Sequence, residues 1–274
     1  MRSPLSTYSA PFKVISVKHL YILKYLSSFL LFIPLTTHAV VNLEQAIIGP
    51  TTDGFHTRMD LVASGASGNS EYKRTQVDLL TLWKEERNTE FLQVQYAYGT
   101  SSNQIDTDNA FVHLRHRTEM DPTWGIEAFT QISRNPFARL TQRTLLGGGV
   151  RLVLYEEDKK SASYLGLGAF QENEIRTEVA GTTDITHTET LRANIYLILK
   201  YQFNEQVRFI NNTFYQPALN EISNVRLLEQ ASLFVKMDDH LDLKISAEIT
   251  YDSIPPQTVQ ARDVFYSTGI TLSF

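Results

Sequence analysis

The chain has 274 residues, 42% hydrophobic and 20% charged, with a formal net charge of −5. It has no cysteine, which excludes disulfide scaffolds, thiolate zinc sites and cysteine nucleophiles. The acidic balance argues against a nucleic-acid partner, since neutralising phosphates takes an excess of Lys and Arg. The sequence also lacks the long apolar runs of a polytopic helical membrane protein.

Residues 1–39 carry Arg2, Lys13, Lys18 and Lys24 and no Asp or Glu. An apolar stretch from Tyr25 to Leu35 follows, broken by Ser27 and Ser28, and gives way to Thr37-His38-Ala39. A positive start, a short apolar core and small residues at the cut are the parts of a secretory signal peptide. The apolar run is too short to stay in a bilayer as a permanent helix. The expected organisation is a signal peptide over 1–39, a periplasmic lead over 40–53 and a body over 54–274.

The body alternates with period two. Windows at 55–63, 72–83, 91–98, 110–117 and 124–132 show it weakly. Around residue 147, Leu146, Val150, Leu152 and Leu154 share one parity, and Arg143, Gly147, Gly149 and Arg151 the other. A weak window at 164–172 precedes a clear one at 191–203. There Leu191, Ala193, Ile195, Leu197 and Leu199 stand against Arg192, Asn194, Tyr196, Lys200 and Gln202. After 207–215 and 227–237, Leu241, Leu243, Ile245, Ala247, Ile249 and Tyr251 oppose Asp242, Lys244, Ser246, Glu248, Thr250 and Asp252. The last window sets Val264, Tyr266, Thr268, Ile270, Leu272 and Phe274 against Ser267, Gly269, Thr271 and Ser273. A helical period would scatter these apolar residues around an axis, so each window predicts a strand. Twelve strands result.

Connection lengths alternate too. Lys84–Thr89, Met120–Pro122, Glu156–Lys160, Asn204–Gln206 and Asp238–His240 read as short polar turns. Longer or looser segments lie between them: Gly99–Asp108, Arg134–Arg139, Asn173–Glu189, Gln216–Asn224 and Ser253–Asp263. Short turns at one end and long loops at the other are the asymmetry of an outer-membrane barrel. Many strands exceed the five or six residues usual in soluble sheets and approach the length that crosses a bilayer at a tilt. Trp83, Tyr98, Trp124, Tyr155, Tyr201, Phe203, Tyr251 and Tyr266 gather near strand ends, as interfacial girdles do. The predicted fold is all-β, an antiparallel up-and-down transmembrane β-barrel of about 12 strands after an N-terminal signal peptide. The predicted location is the outer membrane.

Residues from about 54 to 274 resemble the family of salt-induced outer membrane proteins catalogued as domain of unknown function 481. The resemblance is carried by Asn212-Thr213-Phe214-Tyr215-Gln216-Pro217, by Arg226-Leu227-Leu228-Glu229-Gln230-Ala231-Ser232-Leu233 and by Tyr251-Asp252-Ser253-Ile254-Pro255-Pro256. The ending Thr268-Gly269-Ile270-Thr271-Leu272-Ser273-Phe274 is similar to terminal strands of outer-membrane proteins generally. It implies recognition by the barrel-assembly machinery, with Tyr266, Ile270, Leu272 and Phe274 as the signal. The resemblance also implies a link to salt or envelope stress, and it brings no activity. Gly147-Gly148-Gly149-Val150-Arg151-Leu152 departs from the family's glycine–aromatic pattern.

No catalytic, cofactor or metal site is expected. His113 and His116, three apart on a strand, point to opposite faces and cannot share a metal. Asp106, Asp108 and Asn109 read as solvated loop residues without the spaced ligands of a calcium loop. There is no Gly-x-Ser-x-Gly, and no His and Ser two apart on a strand that would share a face. Alternation instead puts Glu127, Arg143, Arg151, Glu172, Arg192, Lys200, Asp242, Lys244, Glu248 and Asp252 on the polar face as lumen charges. The expected function is a structural or narrow porin-like barrel, not an enzyme. The alternatives are an outer-membrane lipid-modifying enzyme and an exported soluble β-domain. Expected partners are outer-membrane lipid and lipopolysaccharide, with the assembly machinery during biogenesis.

Overall fold

The computed structural model describes residues 52–67, 71–157, 161–177, 185–256 and 259–274. The expected signal peptide and nearly all of the lead lie outside the described residues. Twelve strands follow: β1 Gly54–Ala66, β2 Tyr72–Glu85, β3 Asn88–Ser101, β4 Gln104–Asp121, β5 Trp124–Asn135 and β6 Leu140–Glu157. Then come β7 Ser161–Thr177, β8 Ile185–Gln202, β9 Val207–Pro217, β10 Val225–Lys236, β11 Leu241–Asp252 and β12 Arg262–Ser273. Each pairs antiparallel with its sequence neighbours, and β12 returns to β1, so the sheet is a closed up-and-down barrel. The predicted architecture is the observed one.

Closure gives every edge strand a partner, which removes the open backbone groups an isolated sheet would expose. The closing seam is short. β1 and β12 pair over Arg58–Leu61 and Ile270–Ser273, and two further bonds join Thr57 to Phe274, N to O at 3.2 and 2.8 Å. Neighbours elsewhere pair over much longer registers, such as Gly54–Ala66 with Tyr72–Lys84.

Two sequence expectations are corrected. Gly99–Asp108 is not a long loop: β3 and β4 run on to Ser101 and Gln104, with only Ser102 and Asn103 between them. Both turn residues have positive φ, 49° and 61°, the conformation that joins twisted strands most tightly. The hydrophobic alternation fades there, so the strand ends could not be seen. For the same reason Asp106, Asp108 and Asn109 are strand residues. Asp106 faces inward to Arg74 at 2.7 Å, and Asp108 outward to Arg134 at 2.7 Å. The connection at Arg134–Arg139 is likewise tightened by a 3-10 turn, Pro136–Ala138, capped by Asn135.

The two faces of the wall differ in kind. Outward positions such as Leu92, Leu114, Leu146, Ile195, Leu199, Ile245, Ile249 and Ile270 are exposed and apolar. Inward positions mix buried charge with buried rings, including Phe91, Phe129, Phe170, Tyr196, Phe214 and Phe234. Phe265, which breaks the alternation of the last strand, is one of these inward residues. β6 and β7 leave room for the rings with glycine at 147 and 166, while Gly149 and Gly168 let the two backbones approach closely. A Cβ at Gly147 would meet Phe170 and Phe129, and one at Gly166 would overlap the Tyr196 ring.

Candidate functional site: the ion-paired lumen

Among the described residues, three groups of charge stand on the inward face besides the Arg74–Asp106 pair. The largest lies toward the loop end on β6, β7, β8, β10 and β11. Arg192 donates to Glu172 at 3.0 Å, Arg143 reaches Glu172 at 3.5 Å and bonds Glu174, and Arg226 bonds Glu172 and Glu174, the latter at 2.9 Å. Arg176 joins Glu174 at 2.7 Å and Asp252 at 3.4 Å, and Arg226 also meets Asp252 at 3.3 Å. Arg192 further donates to the carbonyls of Gln216 and Asn224, both at 3.2 Å. Four guanidiniums thus surround three carboxylates.

A second group links β4, β5 and β8. Glu127 accepts from Arg117 at 2.7 Å, from Arg115 at 3.3 Å and from the Tyr196 hydroxyl at 2.6 Å. Arg115 lies over Phe129, Arg117 over Phe91, and Arg151 over Tyr164 at 3.7 Å with Lys200 on the same ring at 5.4 Å. His113 stacks on Phe129, and its Nδ1 is 3.0 Å from Gln131 Oε1.

The third group sits by the seam. Asp60 accepts from Arg58 at 2.9 and 3.0 Å, from Lys244 at 2.5 Å and from Thr271 at 2.8 Å. Arg208 pairs with Asp242. Arg58, Arg208 and Lys244 all approach the ring of Phe234, at 4.7, 4.8 and 5.8 Å. The negative face of an aromatic ring attracts cations, so one buried Phe helps hold three of them together. Nearby, Gln230 donates to Glu248 at 2.5 Å.

Strand number alone does not say how full the interior is. Eight strands are filled by side chains and sixteen leave a channel, with twelve in between. Here Glu172 and Arg192 are 2% exposed, and Asn212 and Thr271 are 0% exposed. Braces also cross the interior: Tyr196 to Glu127 spans β8 to β5, and Arg176 to Asp252 spans β7 to β11. An unpaired buried ion costs several kcal/mol, so each charge needs the partners it has.

The structure brings Arg143, Glu172, Arg192 and Asp252 into the loop-end network and places Glu127, Arg151 and Lys200 around the second group. Asp242 and Lys244 join the third, with Glu248 near them. Sequence reasoning missed Arg58, Asp60, Arg115, Arg117, Glu174, Arg176, Arg208 and Arg226. Parity could have found Arg115 and Arg117, which alternate with Val112, Leu114 and His116. The signal was blurred because the interior also holds Leu80, Leu82 and Phe91, so apolar residues occupy both faces. His113 points inward and His116 outward. Of the proposed assembly residues, Tyr266, Ile270 and Phe274 are exposed on the outward face and Leu272 is half-buried. Among the described residues no group of His, Asp or Glu could hold a metal.

Among solved structures the chain is similar to the translocator domain of the autotransporter NalP from Neisseria meningitidis. The identity is 10% and the TM-score 0.46, over 82% of this chain and 89% of that one. It is similar also to the NanC porin, at 12% identity and TM-score 0.43 over 80% and 97% of the two chains. For the KdgM porin the values are 10% and 0.41 over 80% and 99%. No curated protein matches the chain. Residues 59–274, from the middle of β1 to the terminal Phe, match the family described as "Protein of unknown function, DUF481", and the chain belongs to that family.

Proposed function

We propose that the protein is an outer-membrane barrel of structural type whose lumen is closed by its own ion pairs. The observation that carries this reading is the burial of the loop-end network, in which Glu172 binds three arginines from three strands. The apolar outward belt supports a membrane location, because exposed aliphatic residues around a whole barrel need hydrocarbon rather than water. The lipid and lipopolysaccharide partners, the assembly machinery and the link to salt or envelope stress are part of the same proposal.

Conductance of the purified barrel in a planar bilayer tests it. The wild type should pass little or no current, and Glu172→Gln, which leaves its arginines without their shared partner, should raise conductance or make it noisy. A wild type that conducts steadily like an open pore would overturn the closed reading. A second reading, a narrow pore for anions, is favoured by the excess of guanidiniums over carboxylates at the loop end. It expects a steady wild-type current that reverses on the anion side in a salt gradient.

A further inference from the structure

On the outward face, two residues from the β2–β3 turn, stands a polar cluster that the lumen does not use. Glu90 on β3 lies directly opposite His116 on β4, and Thr118 follows two residues later, so all three share the outward parity. His116 Nδ1 is 2.6 Å from Glu90 Oε1, and Nε2 is 2.9 Å from Thr118 Oγ1. With the Nδ1 proton donated to the carboxylate, Nε2 is the ring's acceptor, and it faces a hydroxyl. This is the order carboxylate, imidazole, hydroxyl, which is recognised by geometry and role rather than by chain position. The Thr118 hydroxyl also donates to Asn88 Oδ1 at 2.8 Å. The reaction therefore requires that amide to turn about its Cβ–Cγ bond, which presents NH₂ to Thr118 and frees the hydroxyl proton for His116.

A second observation points to the substrate. A groove of about 490 Å³ begins at Glu90 and His116 and is walled by Trp83, Leu92, Leu114, Ala128 and Leu146. Leu92 and Leu114 are the next outward residues away from the turn, so the groove leads from the polar cluster toward the barrel's middle. Its lining is apolar but for Thr81, Glu90, Arg115, His116 and Thr130, and Thr118 is not among the residues that line it. An acyl chain laid along the apolar wall would bring its ester carbonyl to the Glu90–His116 end, beside the exposed rings of Trp83 and Phe55.

We propose that Glu90, His116 and Thr118 form a hydrolytic site for the acyl esters of glycerophospholipids. Thr118 Oγ attacks the ester carbonyl carbon while its proton passes to His116 Nε2, and Glu90 stabilises the imidazolium. The bond to the glycerol oxygen breaks, and that oxygen leaves with the proton from His116, giving acyl-threonine and a lysolipid. Water then attacks the acyl carbon and gives its proton to His116. Thr118 departs with that proton, and the fatty acid is released. One ester and one water yield one acid and one alcohol, with no cofactor.

The test is fatty-acid release by the full protein extracted from membranes and placed in vesicles of phosphatidylcholine and phosphatidylglycerol. Folding of each variant is checked by its change of gel mobility on boiling. Folded wild type should turn over. His116→Ala and Thr118→Val should lose roughly a hundredfold or more, the usual worth of a general base and its nucleophile, while Thr118→Ser keeps turnover. A fluorophosphonate carrying a long alkyl chain should lose fluoride and leave its phosphonyl group on Thr118 Oγ in the wild type and not in His116→Ala. If folded wild type and folded Thr118→Val release fatty acid at the same rate, the cluster is an ordinary polar surface and the proposal fails.

Discussion

The Tyr196 hydroxyl on β8 donates to Glu127 on β5 at 2.6 Å, and its ring passes over β7 where Gly166 has no side chain to obstruct it. The brace across the lumen therefore depends on an absence of atoms on the strand between. Tyr196→Phe removes a hydrogen bond to a charged acceptor and should cost about 1.5–3 kcal/mol. Gly166→Val should displace the ring and lose a similar amount. If both act through the brace, the double variant should lose less than the sum. Urea unfolding in lipid vesicles measures all three, and strict additivity would separate the glycine from the brace.

The outward belt can be tested by depth. Leu197→Arg and Ile245→Arg, on the outward faces of β8 and β11, should each cost about 2–4 kcal/mol if they face the bilayer's midplane. Met237→Arg, beyond the end of β10, should cost about 0–1 kcal/mol. Equal losses at all three positions would mean that the belt does not face hydrocarbon.

Glu172 is bound by Arg143, Arg192 and Arg226, so Glu172→Gln takes a charged partner from three guanidiniums at once. It leaves Arg143 with Glu174, Arg226 with Glu174 and Asp252, and Arg192 with neutral acceptors. The expected loss is about 3–5 kcal/mol, the cost of breaking a buried pair from one side. Arg192→Gln should lose less, because Glu172 keeps two partners. Thermal unfolding in detergent ranks the two variants, and the reverse order would show that Arg192 matters mainly through its bonds to Gln216 and Asn224.

Phe274 lies at the seam with its side chain exposed, and its backbone exchanges two bonds with Thr57. Deleting it should cost at most about 1.5–3 kcal/mol by lost apolar area. If the residue is read by the assembly machinery, outer-membrane yield in cells should fall severely while refolding in detergent stays close to normal. Equal failure in both would make Phe274 a packing residue.

The fold was legible because a barrel wall writes its two faces into alternate residues. β11 and β12 could be read almost residue by residue. The limits appear where that code is disturbed. At Ser102–Asn103 the strands outlast their hydrophobic pattern. At Leu80, Leu82 and Phe91 the interior is itself apolar, so parity alone does not reveal which face is inside. The lumen charges on the polar parity could be named, but their pairing could not: Arg226 and Glu172 are 54 residues apart and meet only after four strands are in register. The Glu90, His116 and Thr118 cluster was hidden for the same reason. His116 and Thr118 are two apart in sequence, but their carboxylate comes from another strand, and the hydroxyl is a threonine's, not a serine's.

The short seam gives the barrel a preferred place to come apart. Force applied to the C-terminus would load the few bonds between β1 and β12 together with the longer ladder between β12 and β11, one after another like a zipper, and the seam with β1 would be spent first. Once β12 peels away, β11 keeps only β10, and the remaining wall should detach in single strands or hairpins. Extension traces from single molecules pulled out of a bilayer should therefore begin with a small first step near the C-terminus, followed by larger ones as the braced strands β10 to β5 resist.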